Sequence, residues 1–142
     1  MDVELADLAE AILGVGRELR LRIDGDVVQL TASEAHVMRH IDHHPGVTPS
    51  DVARATGLQR SNLSTALRAL EGRGFVERRT DPHDARGVNL FPTDRAGENL
   101  TRLRRQWAEK VAAALGDDQT DVVAAKALLE RLEVGLIAAR LD

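Results

Sequence analysis

The chain has no cysteine among its 142 residues. That excludes a disulfide framework, a thiolate metal site, an iron–sulfur cluster, a cysteine nucleophile and any thiol redox switch, peroxide sensing included. Aromatic residues amount to 2%, namely Trp107, Phe75 and Phe91, so stacking platforms of the kind that hold single-stranded nucleic acid are lacking. No apolar run approaches the roughly 18 to 20 residues of a spanning helix, and the start, MDVELADLAE, is acidic where a signal peptide is basic. The expectation is a cytoplasmic protein with no membrane partner. Also missing are a nucleophile elbow, a P-loop, a G-x-G-x-x-G after a strand and an H-E-x-x-H helix. Carboxylates pair only as surface neighbours such as Asp117-Asp118, so no enzyme and no cofactor is expected.

What is present fits one globular unit with a core of its own: 43% hydrophobic and 30% charged residues. The net charge of -4 argues against a generally basic nucleic-acid binder, but its distribution is uneven. Residues 1–53 carry 4 basic and 10 acidic side chains, residues 54–86 carry 7 and 4, residues 87–105 carry 4 and 2, and residues 106–142 carry 4 and 7. Every basic residue in the positive middle is arginine, the side chain suited to bidentate contact with phosphate or guanine. Taken as charge alone, a scattered excess of arginines is equally a solvated surface.

Hydrophobic spacing gives the order of elements. Leu5, Leu8, Ile12, Val15 and Leu19 recur at helical spacing and form the seam of a first helix. Thr31 and Glu34 make a capping box for a second helix that runs to about His43, buries Val37, Met38 and Ile41, and stops at Pro45-Gly46. Thr48, Pro49 and Asp51 open a short third helix that reaches Thr56. After Gly57, the positions Leu63, Ala66, Leu67 and Leu70 define a fourth helix ending near Gly72 or Gly74. Two short helices around a glycine-containing turn are a helix-turn-helix. Residues 75–80 then form a strand, Asp81-Pro82-His83-Asp84 a turn, and residues 88–91 the partner strand. Thr93 caps a fifth helix with the seam Ala96, Leu100, Leu103, Trp107, Val111 and Ala114. A sixth starts at Thr120 with Val122, Ala125, Leu129, Leu132 and Leu136. The terminal helices carry more apolar seam than the middle can cover, so a second copy of the chain is the expected partner, through Leu5, Leu8, Ile12, Val15, Leu129, Leu132 and Leu136.

The run from Leu30 to Gly97, and above all LEGRGFVERRTDPHDARG, resembles the winged helix-turn-helix of the MarR-type (multiple antibiotic resistance regulator) transcription factors. The expected fold is mainly α with a small β-hairpin wing: a winged helix-turn-helix lobe over residues 31–93, between an N-terminal dimerisation helix (1–30) and C-terminal dimerisation helices (94–142). The resemblance implies a homodimer that binds double-stranded DNA and is released by a small phenolic or anionic compound. Repression is expected over activation, since a small dimer blocks polymerase by occupancy. Pro92 departs from the family's leucine and is expected to shorten the second strand.

The leucines of the fourth helix face the core, which leaves Arg60, Ser61, Asn62, Ser64, Thr65 and Arg68 as candidate major-groove readers. Arg86 in the hairpin is the candidate for the minor groove, with Asp84 fixing its geometry, as the resemblance implies; a surface Asp–Arg pair is the alternative. Thr48, Ser50, Arg54 and Arg79 are candidates for phosphate contact. Arg17, Arg20 and Arg22 could meet an effector carboxylate, although helix-surface arginines are usually solvated. His36, His40 and His43 share one side of the second helix, and an i, i+4 pair of this kind binds zinc or nickel when further ligands, such as Asp42, are in reach. Histidines near a helix C-terminus also simply favour its dipole, and no bound metal is expected. A winged-helix protein-interaction module and a metal-responsive regulator stay open as alternatives; the arginines Arg60, Arg68, Arg73, Arg78, Arg79 and Arg86 favour DNA.

Overall fold

The computed structural model of the chain describes residues 1–142, apart from the side chains of residues 85 and 86. The elements are α1 (Val3–Arg20), α2 (Ala32–His43), α3 (Pro49–Thr56), α4 (Arg60–Gly72), β1 (Val76–Asp81), β2 (Asp84–Pro92), α5 (Asp94–Leu115) and α6 (Val122–Leu141). The fold is mainly helical with one antiparallel hairpin. Two compact units divide it: residues 30–98 with 119–142, and residues 1–29 with 99–118.

In the first of these units, local chemistry sets the helix ends. The Thr31 hydroxyl accepts from the Glu34 amide and the Glu34 carboxylate accepts from the Thr31 amide, so both halves of the capping box are made. Thr48 accepts from the Asp51 amide at 3.2 Å, Pro49 opens α3, and Gly57 closes it at φ 72°, a left-handed position that glycine takes without a Cβ clash. α4 ends in a Schellman motif. The Phe75 amide donates to the Leu70 carbonyl and the Gly74 amide to the Glu71 carbonyl, Gly74 takes φ 73°, and Phe75 and Leu70 are both buried. The core lies where α2, α3 and α4 meet the hairpin: Val37, Ile41, Val52, Leu70, Phe75 and Leu90 are essentially removed from water. Each such side chain contributes about 1.5–3 kcal/mol by burial.

The hairpin is longer and its turn tighter than the sequence suggests. β2 starts at Asp84, leaving Pro82-His83 as the turn, and the His83 amide donates to the Asp81 carboxylate at 2.8 Å. The register runs from Val76↔Pro92 to Thr80↔Val88, then jumps to Asp81↔Asp84. Pro92 does not shorten β2; it is its last residue. The reason lies in the alternation of the ladder. The Thr93 amide donates to the Phe75 carbonyl, and Leu90, two residues before Pro92, turns both backbone groups outward to Gly46 and Val47. Pro92 therefore falls at a position whose nitrogen faces away from β1, where no N–H is required. Thr93 accepts from the Ala96 amide and so caps α5 as the sequence predicts. α6 starts two residues later than expected, at Val122, with Asp121 rather than Thr120 at its N-cap.

The other unit contains a contact the sequence did not reveal. Asn99 of α5 accepts from the Val28 amide at 2.8 Å and donates to the Val28 carbonyl at 3.0 Å. Gln106, two helical turns on, does the same with Asp24 at 2.9 and 2.6 Å. Lys110 reaches the Leu21 carbonyl and Gln29 the Arg20 carbonyl. Asn99 is buried, and these bonds complete its polar needs.

Candidate nucleic-acid interface

α4 separates its faces by periodicity. Leu63, Ala66, Leu67 and Leu70 are buried, and Arg60, Ser61, Asn62, Ser64, Thr65 and Arg68 are all exposed. The six predicted readers thus occupy one solvent-facing surface. Arg60 and Arg68 make no ion pair among the described residues. Thr65 donates its hydroxyl to the Ser61 carbonyl at 3.0 Å, which leaves its oxygen available as an acceptor. Gln59, at the N-cap, makes no side-chain capping bond, and no acid sits in the first turn of α4. The N-terminal amides and the positive end of the helix dipole therefore stay unneutralised, which suits an approaching phosphate. Sequence reasoning missed Gln59; its place directly before the first helical residue was the available signal.

The arginines of the middle segment are not equivalent. Arg73 donates to the Glu34 carboxylate at 2.7 Å, and Arg78 donates to Glu71. Both are paired with carboxylates of the same unit, so a sequence count of arginines includes those that also join α2, α4 and β1. Arg79 lies 4.1 Å over the Phe91 ring and 3.4 Å from Glu77, which orients its guanidinium along the hairpin. Arg54 and Ser50 are exposed on α3, while the Thr48 hydroxyl is engaged as the α3 cap. Asp84 opens β2. The Arg86 side chain, and with it the proposed Asp84–Arg86 pair, lies outside the described residues.

The histidines do not converge on a metal. His36 and His43 are exposed, and His40 is half-buried with its ring stacked on His44 at 4.4 Å. Among the described residues no group of three His, Asp or Glu side chains is placed to hold an ion. Burial, then the neighbouring His44, lowers the His40 pKa; Asp51 opposes the shift, while His36 and His43 add to it. Arg17 and Arg20 lie exposed on the last turn of α1, and Arg22 just beyond it takes a left-handed φ of 55°.

One more contact of this unit was not foreseen. Arg140 of α6 donates to the carbonyls of Arg54 at 3.2 Å and Ala55 at 2.6 Å, at the end of α3. Arg39 of α2 makes a two-pronged bond to Glu133 of α6, at 2.6 and 3.1 Å.

Helix-turn-helix, exposed polar face and hairpin occur in the order that known proteins share. The profile of the MarR family matches residues 28–87. A candidate transcriptional regulator from Pseudomonas aeruginosa is 30% identical, with a TM-score of 0.73 over 93% of this chain and 96% of its own. The chain belongs to the MarR family. As a MarR-family protein it is a transcriptional regulator, and its winged helix is the DNA-binding module. An uncharacterized HTH-type transcriptional regulator from Mycobacterium leprae is 27% identical over 93% of this chain and 95% of its own length. FabT from Streptococcus pneumoniae, solved in complex with DNA, shares the fold at 24% identity and a TM-score of 0.61, covering 95% of this chain and 94% of its own. Among the described residues no helix is long and apolar enough to cross a membrane.

Proposed function

We propose that this MarR-family regulator is a repressor that binds a pseudopalindromic operator as a homodimer and leaves it when a small molecule binds. The observation that carries the reading is the exposed face of α4, where Arg60, Asn62 and Arg68 stand beside Ser61, Ser64 and Thr65 over a fully apolar inner face. Arginine pairs with guanine O6 and N7, asparagine with adenine N6 and N7, and serine or threonine with base edges or phosphate. Thr48, Ser50, Arg54 and Arg79 set the protein on the backbone, and Arg86, steadied by Asp84, enters the minor groove. FabT, with the same fold, is bound to DNA in its structure.

Homodimerisation is supported by where apolar surface is left. Every large apolar side chain that is exposed among the described residues lies within 1–21 or 111–141, and they include Leu5, Val15, Leu129, Leu132 and Leu136. Leu8 and Ile12 are half-buried on the same seam. Residues 31–93 then act as the reading lobe, and 1–30 with 94–142 as the dimerisation helices. Arg17 and Arg20, exposed at the end of α1, are the groups offered to an anionic or phenolic effector.

The deciding experiment is selection of bound duplexes from a random library at near-physiological salt, where nonspecific phosphate binding is suppressed. An inverted repeat with half-sites about one helical turn apart, roughly 34–36 Å, is expected. A folded dimer that enriches no motif refutes the reading. The selected duplex then serves to screen phenols and aromatic carboxylates for release.

A further inference from the structure

α3 is a helix of eight residues, and its last carbonyls have no partners within it. The Gly57 amide, just beyond the helix, takes the Ala53 carbonyl. The next two, on Arg54 and Ala55, are those that the Arg140 guanidinium reaches from α6. A cation at a helix C-terminus also meets the negative end of the dipole. Gly57 makes the approach possible. A Cβ on this residue would lie 2.6 Å from Arg140 Nη1 and 3.0 Å from its Cζ, closer than carbon atoms sit to either. The same glycine that supplies the left-handed turn between α3 and α4 thus also leaves space for the guanidinium.

Arg140 is one end of a stripe. Glu133, Ile137 and Arg140 follow at helical spacing; Glu133 and Ile137 are half-buried, and Glu133 holds Arg39 of α2. Leu129, Leu132 and Leu136, the seam proposed for the second copy, run beside this stripe and are exposed. α6 therefore grips the helix-turn-helix with one stripe and offers the adjoining one to a partner.

The geometry points to Arg140 as a positioning residue for DNA recognition: by capping α3 and bracing the turn at Gly57, it fixes how α4 is presented and ties that presentation to α6. This deepens the proposed function and rests on α4 being the reading helix. Arg140 is bound to main-chain carbonyls at the end of α3, so the effect proposed for it passes through the turn.

The test uses the full chain with Arg140→Ala, Arg140→Lys and the control Arg131→Ala, an exposed α6 arginine that no described partner holds. Two readouts are taken: hydrogen exchange of the Gly57 amide without DNA, and affinity for the selected operator and a scrambled duplex at several salt concentrations. In Arg140→Ala, Gly57 is expected to exchange faster while the clasped Val28 amide does not. Operator affinity is expected to fall roughly tenfold, within the usual range of coupling between sites. Scrambled-duplex affinity and the salt dependence stay unchanged, Arg140→Lys recovers part of the loss, and Arg131→Ala matches wild type. Unchanged Gly57 exchange overturns the bracing. Equal losses on both duplexes, with a salt slope smaller by about one, make Arg140 a phosphate contact and overturn the positioning role. Unchanged operator binding in Arg140→Ala beside a weakened Arg68→Ala overturns this proposal alone. An Arg68→Ala protein that binds like wild type overturns the reading of α4 as well.

Discussion

The Glu34 side chain, only 6% exposed, accepts a hydrogen bond from the Arg73 guanidinium at 2.7 Å, joining the first turn of α2 to the residue that ends α4. The same carboxylate closes the capping box on Thr31. Removing Arg73 leaves a buried acceptor with half its partners, whereas the guanidinium itself keeps contact with water. Arg73→Ala is expected to lose about 1–2 kcal/mol, a Tm lowered by about 3–8 °C at fixed protein concentration. Glu34→Ala, which also breaks the box, is expected to lose more. Calorimetry of both variants checks the order.

On α4, Arg68→Ala and Asn62→Ala are each expected to weaken operator binding by about 1–3 kcal/mol and to relax the preference at one base pair per half-site. Arg86→Ala is expected to weaken binding through the minor groove. Neither α4 variant is expected to lower Tm by more than about one or two degrees, because Asn62 and Arg68 are exposed. Competition binding with single-base operator variants is the measurement.

Leu132 is 37% exposed and Leu136 64% exposed in the isolated chain. A charge at either position costs nothing in water but is buried without a counter-ion in a dimer. The wild type is expected to sediment as a dimer, and Leu132→Asp and Leu136→Asp as monomers at the same concentration, losing operator binding with it. A dimer of unaltered stability in both variants places the interface elsewhere.

Acidification should destabilise the fold through His40. Burial, followed by His44, lowers its pKa in the folded state, so below pH about 6.5 the unfolded chain takes up its proton first. The unfolded state then binds more protons, and stability falls as the pH drops through this window; above it, both states are neutral there. Asp42 has the opposite sign. Burial raises its pKa, so its ionised form is a cost above that pKa, and the cost is relieved as the pH falls through it. Denaturant unfolding from pH 7.5 to 5 is expected to show a slope that His40→Gln flattens. At pH 7, Asp42→Asn is expected to be more stable than wild type.

Legibility in the sequence followed distance along the chain. The capping box at Thr31 and Glu34, the Thr48-Pro49-Asp51 start and the Leu63, Ala66, Leu67, Leu70 stripe need only neighbours within a turn or two, and the structure forms each of them. The exposed face of α4 followed from the same periodicity. The contacts that were not foreseen join residues far apart: Asn99 to Val28, Arg73 to Glu34, Arg140 to Arg54. A long polar side chain announces that it will find a partner, not which one. Arg73 and Arg78 illustrate the consequence, because in composition they are indistinguishable from Arg60 and Arg68. Pro92 shows a different limit. Its effect depends on the parity of its ladder position, which a one-residue change in register would reverse.

The two carboxamides of α5 hold only main chain. Asn99 and Gln106 each take one amide and one carbonyl from a segment with no regular structure, as a neighbouring strand would, and they are spaced by two turns of a rigid helix. The path of residues 24–28 is thereby pinned at two points by a ruler on another element. Asp24 and Val28 are held without being read, and the information that shapes this stretch of chain is stored about seventy to eighty residues downstream, in two amide groups that carry no charge and are indifferent to pH.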